Sequence, residues 1–184
     1  MLLASSAEAV ITSHAYTKYY GTPYVGWYGC LKALGAQRLL TSGINLAGTY
    51  EKSLEQAVVA GRFAAFSFGY ADKYFVCTNS VEIYDLKTGK PGQVFVMDCS
   101  YPGLFMPGAL DSLSVNANGF AAWRLMVSDS TGAEVAQLYA YDTHGARLLD
   151  SSAPGTSTSL TDIKLTGNLL IWSNNGTSRQ ATLG

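Results

Sequence analysis

The sequence predicts an all-β chain of repeated four-stranded antiparallel sheets in a β-propeller-like arrangement of about four blades. The terminal blades are expected to be incomplete, and an open arc is the alternative to a closed ring. Three observations predict this. Only 14% of the 184 residues are charged, while the chain holds 12 Tyr and 19 Gly, the balance of twisted sheets and tight turns rather than of helical surfaces. An internal repeat recurs at an offset of 57 residues, aligning Phe63-Ala64-Ala65-Phe66 with Phe120-Ala121-Ala122-Trp123 and Tyr84-Asp85 with Tyr141-Asp142. Between the apolar runs stand Gly and Asn residues that tolerate the positive φ of short hairpins, as in Asn116-Ala117-Asn118-Gly119 and Leu86-Lys87-Thr88-Gly89.

Taken along the chain, the repeat gives one domain over residues 1–184 with approximate units at 8–44, 54–101, 111–152 and 160–184. The first unit reads as three strands and is matched to the others mainly at its end, where Gly35-Ala36-Gln37-Arg38-Leu39-Leu40 parallels Gly145-Ala146-Arg147-Leu148-Leu149. The second and third units read as four strands each. Residues 50–60 carry two signals: Tyr50, Leu54, Ala57 and Val58 fall at helical spacing, whereas the repeat register sets Ala57–Ala60 against Ser114–Ala117 as a first strand. The register favours a strand. The last unit holds three strands, around Leu169-Leu170-Ile171-Trp172.

Gly61-Arg62-Phe63-Ala64-Ala65-Phe66, Val81-Glu82-Ile83-Tyr84-Asp85-Leu86-Lys87-Thr88-Gly89 and Gly119-Phe120-Ala121-Ala122-Trp123 resemble blades of bacterial secreted propeller-like proteins related to the TolB-like and PQQ-type repeats. Tyr28-Gly29-Cys30-Leu31 is similar to a recurring strand of that group. The resemblance implies a propeller-like fold and export to the extracellular space or cell surface, and it implies no reaction. The start, Met1-Leu2-Leu3-Ala4-Ser5-Ser6-Ala7-Glu8-Ala9, reads either as the end of a signal peptide cut near Ala7 and Ala9 or as an artificial start.

The cysteines carry a geometric expectation. Opposed residues of a hairpin lie symmetrically about its turn, and Cys77 and Cys99 stand at equal distances from Thr88. They are candidates for a cross-strand disulfide, with Cys30 left as a small buried hydrophobe. Asn175-Gly176-Thr177 is a glycosylation sequon.

Chemistry-bearing motifs are sparse. Ser67 lies in Ala65-Phe66-Ser67-Phe68-Gly69, close to a nucleophile elbow, but the run is an apolar strand with no helix pattern after it. His14 and His144 are the only histidines, so no zinc-ligand spacing exists and no metal or cofactor is expected. Asp85 and Asp142 open equivalent turns, where a carboxylate bonds its own backbone. Six aromatics crowd into Tyr16–Tyr28, namely Tyr16, Tyr19, Tyr20, Tyr24, Trp27 and Tyr28, and make the candidate ligand or partner surface. A formal charge of −1 with scattered charges argues against nucleic acid, and no apolar run reaches the length of a membrane span. The expected function is a non-enzymatic extracellular binding or self-assembly module. Its partner is either a second copy, joined through open strand edges, or an extracellular protein or glycan. A glycosidase-like hydrolase with acids at a propeller mouth and a fragment of a larger propeller are the alternatives.

Overall fold

The computed structural model describes residues 1–18, 21–44, 51–71, 77–98, 110–129 and 131–184. Its strands run in chain order as β1 (Leu2–Ser5), β2 (Ala9–Thr17), β3 (Pro23–Leu31), β4 (Gln37–Ile44), β5 (Glu51–Ala60), β6 (Phe63–Ala71), β7 (Cys77–Asp85) and β8 (Lys90–Asp98). They continue as β9 (Leu110–Val115), β10 (Ala121–Ser128), β11 (Glu134–Asp142), β12 (Gly145–Ser151), β13 (Leu160–Thr166), β14 (Leu169–Asn174) and β15 (Thr177–Thr182). Neighbours in sequence pair antiparallel, giving sheet I from β1–β4, sheet II from β5–β8, sheet III from β9–β12 and a three-stranded sheet IV from β13–β15.

Side-chain alternation explains why the sheets stack. Successive residues of a strand point to opposite faces, so a strand apolar at every position is apolar on both sides. In β6, Ala64, Phe66 and Phe68 join Ala9, Ile11 and Trp27 of sheet I, while Ala65 joins Trp123 and Leu125 of sheet III. In β10 the same alternation sends Ala121 and Trp123 toward sheet II and Ala122 toward Leu170, Trp172 and Leu183 of sheet IV. Three buried clusters therefore join I to II, II to III and III to IV, the face-to-face packing of propeller blades.

The repeat appears in the register as well. Ala64 pairs with Tyr84 and Ala121 with Tyr141, at the same 57-residue offset found in the sequence. Each first strand is irregular against its second, at Leu2/Ala4, Leu54/Gln56, Arg124/Leu125 and Thr161/Lys164. Each fourth strand shifts register against its third, at Trp27/Tyr28, Ile83/Tyr84 and Leu138/Tyr139. Bulges of this kind add twist and bend a strand. Two of the extra residues, Leu40 and Leu149, turn inward and pack on the buried clusters.

The turns follow the sequence signals. Gly61 has φ +54° in the two-residue β5–β6 turn, and Asn175 and Gly176 both have positive φ, as a type I′ hairpin requires. Gly119, at φ +83°, is fixed twice over, since a Cβ there would lie 2.8 Å from the Phe63 ring. Neighbouring first turns are also stitched together. Asn116 donates to Gly167 O at 2.6 Å, and Asn118 donates to Asn168 Oδ1 at 2.7 Å.

One reading changes. The first sheet has four strands rather than three, because Leu2–Ser5 pairs with β2. Residues 51–60 form a strand throughout. Leu54 and Ala57 at helical spacing reach the same cluster because the irregularity at Leu54/Gln56 changes the alternation there.

Candidate functional site

Sheets II and III have both faces covered. Sheets I and IV each have one face that none of the three clusters covers. The two open faces differ in chemistry.

On sheet I, Ile11 and Trp27 point toward sheet II, so Thr12, His14 and Tyr16 of β2 and Tyr24, Tyr28 and Cys30 of β3 fall on the outer face. Tyr16 is paired with Tyr24 across the strands, and their rings stack with centroids 5.7 Å apart. His14 meets Tyr28 edge to face at 5.1 Å and lies 3.4 Å from the Thr12 hydroxyl, which accepts a hydrogen bond from Gln37. The Lys18 ammonium stands 4.5 Å over the Tyr24 ring. A Cβ on Gly26 would fall 2.8 Å from the Tyr28 ring and 3.1 Å from Leu39, so this glycine lets the tyrosine lie flat against the sheet beside a half-exposed leucine. The result is a shallow aromatic floor with two cationic or protonatable groups and, at these positions, no carboxylate.

Sheet IV presents Lys164, Thr166, Leu169, Ile171, Gln180 and Thr182 on its open side, since Leu170 and Trp172 point to sheet III. It is mostly hydroxyl and amide chemistry around two aliphatic residues.

Of the six aromatics marked in the sequence, Tyr16, Tyr24 and Tyr28 share the outer face. Trp27 does not. It is 4% exposed, packs against Phe68 at 4.9 Å and belongs to the core, because adjacent strand residues cannot share a face. Tyr19 and Tyr20 lie outside the described residues. Sequence reading passed over His14, Lys18 and Leu39, whose membership of the face depends on β2–β3–β4 pairing. Cys30 is half-buried on the outer face rather than in the core. The partners of the proposed disulfide fall in part outside the described residues: Cys77 begins β7, and Cys99 is not described. Paired residues from Thr78↔Asp98 to Ile83↔Gln93 are nonetheless centred on Thr88, as the sequence symmetry required.

The residues considered for catalysis are buried or held by structural partners. Ser67 is fully buried in the middle of β6. Asp85 accepts the Lys87 N–H at 2.9 Å and lies 3.3 Å from the Arg62 guanidinium. Asp142 accepts the His144 N–H at 2.9 Å and a bidentate pair from Arg147 at 2.6 and 2.7 Å, and it also receives the Gly184 N–H at 3.3 Å. Hydrogen bonds from Arg147 hold the Asp142 carboxyl well below the usual carboxylate range, against the opposing effect of burial. Both aspartates border a cleft of about 200 Å³ between sheets II and III, whose walls include Phe63, Asn118, Phe120 and Tyr141. Within this cleft the Asp142 oxygens are taken up by the Arg147 guanidinium and the His144 and Gly184 N–H groups. Among the described residues no group of three His, Cys, Asp or Glu is placed to hold a metal ion. Among the described residues no helix is long and apolar enough to cross a membrane.

No protein-family model and no curated protein matches the chain. Among solved structures it is similar to Trypanosoma rangeli sialidase in complex with the inhibitor DANA, with a TM-score of 0.45 and 10% identity over 98% of this chain and 37% of that one. The chain thus spans little more than a third of that protein. The stacked antiparallel sheets themselves define a β-propeller-like module.

Proposed function

We propose that the protein is a non-enzymatic extracellular binding or assembly module whose working surface is the outer face of sheet I. One observation carries this reading. Tyr16, Tyr24 and Tyr28, with His14 and Lys18, are gathered on a sheet face that none of the described sheets covers, while the equivalent faces of sheets II, III and IV are filled by buried aromatics and leucines. Tyrosine combines a large apolar ring with a polar tip and few rotatable bonds, so a stacked pair binds at low entropic cost. A shallow floor of rings bearing the Lys18 ammonium suits an extended partner rich in hydroxyl or acidic groups, such as a glycan or an acidic protein segment.

Export follows from the family resemblance and fits a half-exposed aromatic face that meets its partner outside the cell. The rival, a hydrolase with acids at a propeller mouth, requires at least one acid–base pair free of structural partners.

Calorimetric titration with neutral and acidic polysaccharides separates the two readings. The Tyr24→Ala/Tyr28→Ala double variant should retain the wild-type circular dichroism and lose about tenfold or more in affinity, the loss of roughly 1.4 kcal/mol expected for removing an aromatic anchor. Release of reducing ends by the wild-type protein, or binding unaffected by the double variant, would sink the proposal.

A further inference from the structure

The irregular first strands of sheets II and III each leave one acidic residue unopposed. In sheet III the pairs Leu110↔Leu125 and Ser112↔Arg124 pass over Asp111, and in sheet II the pairs Leu54↔Phe68 and Gln56↔Ser67 pass over Glu55. The two carboxylates hold the same place in consecutive sheets. Ser67 in turn holds the place of Arg124, at the 57-residue offset of the repeat.

This exchange of arginine for serine changes the charge at the bulge. Arg124 donates from Nε to Asp111 Oδ1 at 2.7 Å, reaches Oδ2 with a second nitrogen, and bonds Leu160 O of sheet IV. In sheet II the bond to the next sheet is kept, since Gln56 donates to Leu110 O at 3.2 Å, but the positive charge is not. Among the described residues Glu55 makes no ion pair. Ser67 is fully buried, and its hydroxyl faces the Glu55 carboxyl without closing a well-formed hydrogen bond to it or to any other group. A buried hydroxyl in that condition is costly.

More oxygens converge on the same spot. Gly69 of β6 is opposed by Ser53 on β5 and by Asn79 on β7, and it puts no side chain between them. A Cβ there would lie 2.8 Å from Glu55 Oε1, 3.4 Å from Ser53 Oγ and 3.6 Å from Asn79 Oδ1. Ser53 gives its proton to Gly69 O at 3.2 Å, which leaves the lone pairs of its oxygen for another partner. Glu55 is exposed, so the cradle is open to solvent.

We propose that Glu55, Ser53, Ser67 and Asn79 form a calcium site, in which the cation takes the part that Arg124 plays for Asp111. Calcium accepts irregular shells of carboxylate, amide, hydroxyl and water oxygens at about 2.3–2.6 Å, whereas magnesium demands a near-ideal octahedron. A single carboxylate keeps the affinity low, in the range of about 10⁻⁴–10⁻³ M typical of extracellular modules. The cradle lies on sheet II and owes nothing to the aromatic face of sheet I.

Calorimetric titration of the chelator-treated full chain with calcium chloride, alongside thermal melts, tests the site. The wild type should give a saturable heat with a Kd of about 10⁻⁴–10⁻³ M and a Tm that rises with calcium. Glu55→Gln keeps the shape and removes the charge. Gly69→Ala sets a methyl against the carboxylate from an extended position that alanine can adopt. Each should weaken binding about tenfold or more with unchanged circular dichroism. Asp111→Asn, in the arginine-paired equivalent, should bind calcium as the wild type does. The proposal is overturned by a wild type that gives no calcium heat well above that concentration range, or by a Tm rise that sodium chloride reproduces at equal ionic strength. Binding that survives both Glu55→Gln and Gly69→Ala, or that is lost in Asp111→Asn instead, overturns it as well.

Discussion

Asp142 shows how one side chain joins the sequence signal, the turn and the stability of the molecule. Its place in the repeat marks it as a turn carboxylate, and the His144 N–H bond bears that out. The Arg147 fork and the Gly184 contact, which tie the end of β11 to β12 and to the C-terminal residue, were not legible, because the two turns differ in length: Asp85 pairs with Lys90 but Asp142 with Gly145. The folded-state pKa of Asp142 is depressed, so its stabilising effect is full above the ordinary carboxylate pKa of about 4 and is lost as pH falls through the folded value. Asp142→Asn should therefore cost about 2 kcal/mol at neutral pH and flatten the loss of stability between about pH 4 and more acidic conditions. Urea unfolding at several pH values checks both. Asp129 and Asp150, also depressed, keep part of the acid dependence in the variant.

At the scale of the element, the strands of sheets II and III were readable because repetition and alternation agreed. β1 was not, since Leu2-Leu3-Ala4-Ser5 is too short to alternate clearly and its pairing with β2 is irregular at Leu2/Ala4. The aromatic stretch was readable as a surface only in part, because composition cannot separate Trp27 from Tyr28 until the strand face is known. Hairpin symmetry proved a sharper tool. The β7–β8 register is centred on Thr88 from Thr78↔Asp98 to Ile83↔Gln93, in keeping with the sequence symmetry that makes Cys77 and Cys99 candidates, and we propose a disulfide between them in protein made in an oxidising compartment. Peptide mapping with and without reductant should find a cross-linked peptide containing both cysteines and a free Cys30; recovery of all three as free thiols would refute the bridge.

For the whole molecule, the three buried clusters account for the order of the sheets and leave one face of sheet I and one of sheet IV outside them. Repetition made the stacking legible in the sequence. The difference between the open faces was not, because it depends on which residues of β2, β3 and β14 point away from a neighbour. If sheets I and IV closed a ring, they would approach to about 10 Å and cover the Tyr16–Tyr24 stack. Fluorotyrosine NMR with a soluble paramagnet reads this directly in dilute protein. Tyr24 and Tyr28 should broaden strongly, in contrast to the buried Tyr84, and should be shielded when a binding partner is added. Tyr24 and Tyr28 as sheltered as Tyr84 in the free monomer would contradict an open binding face.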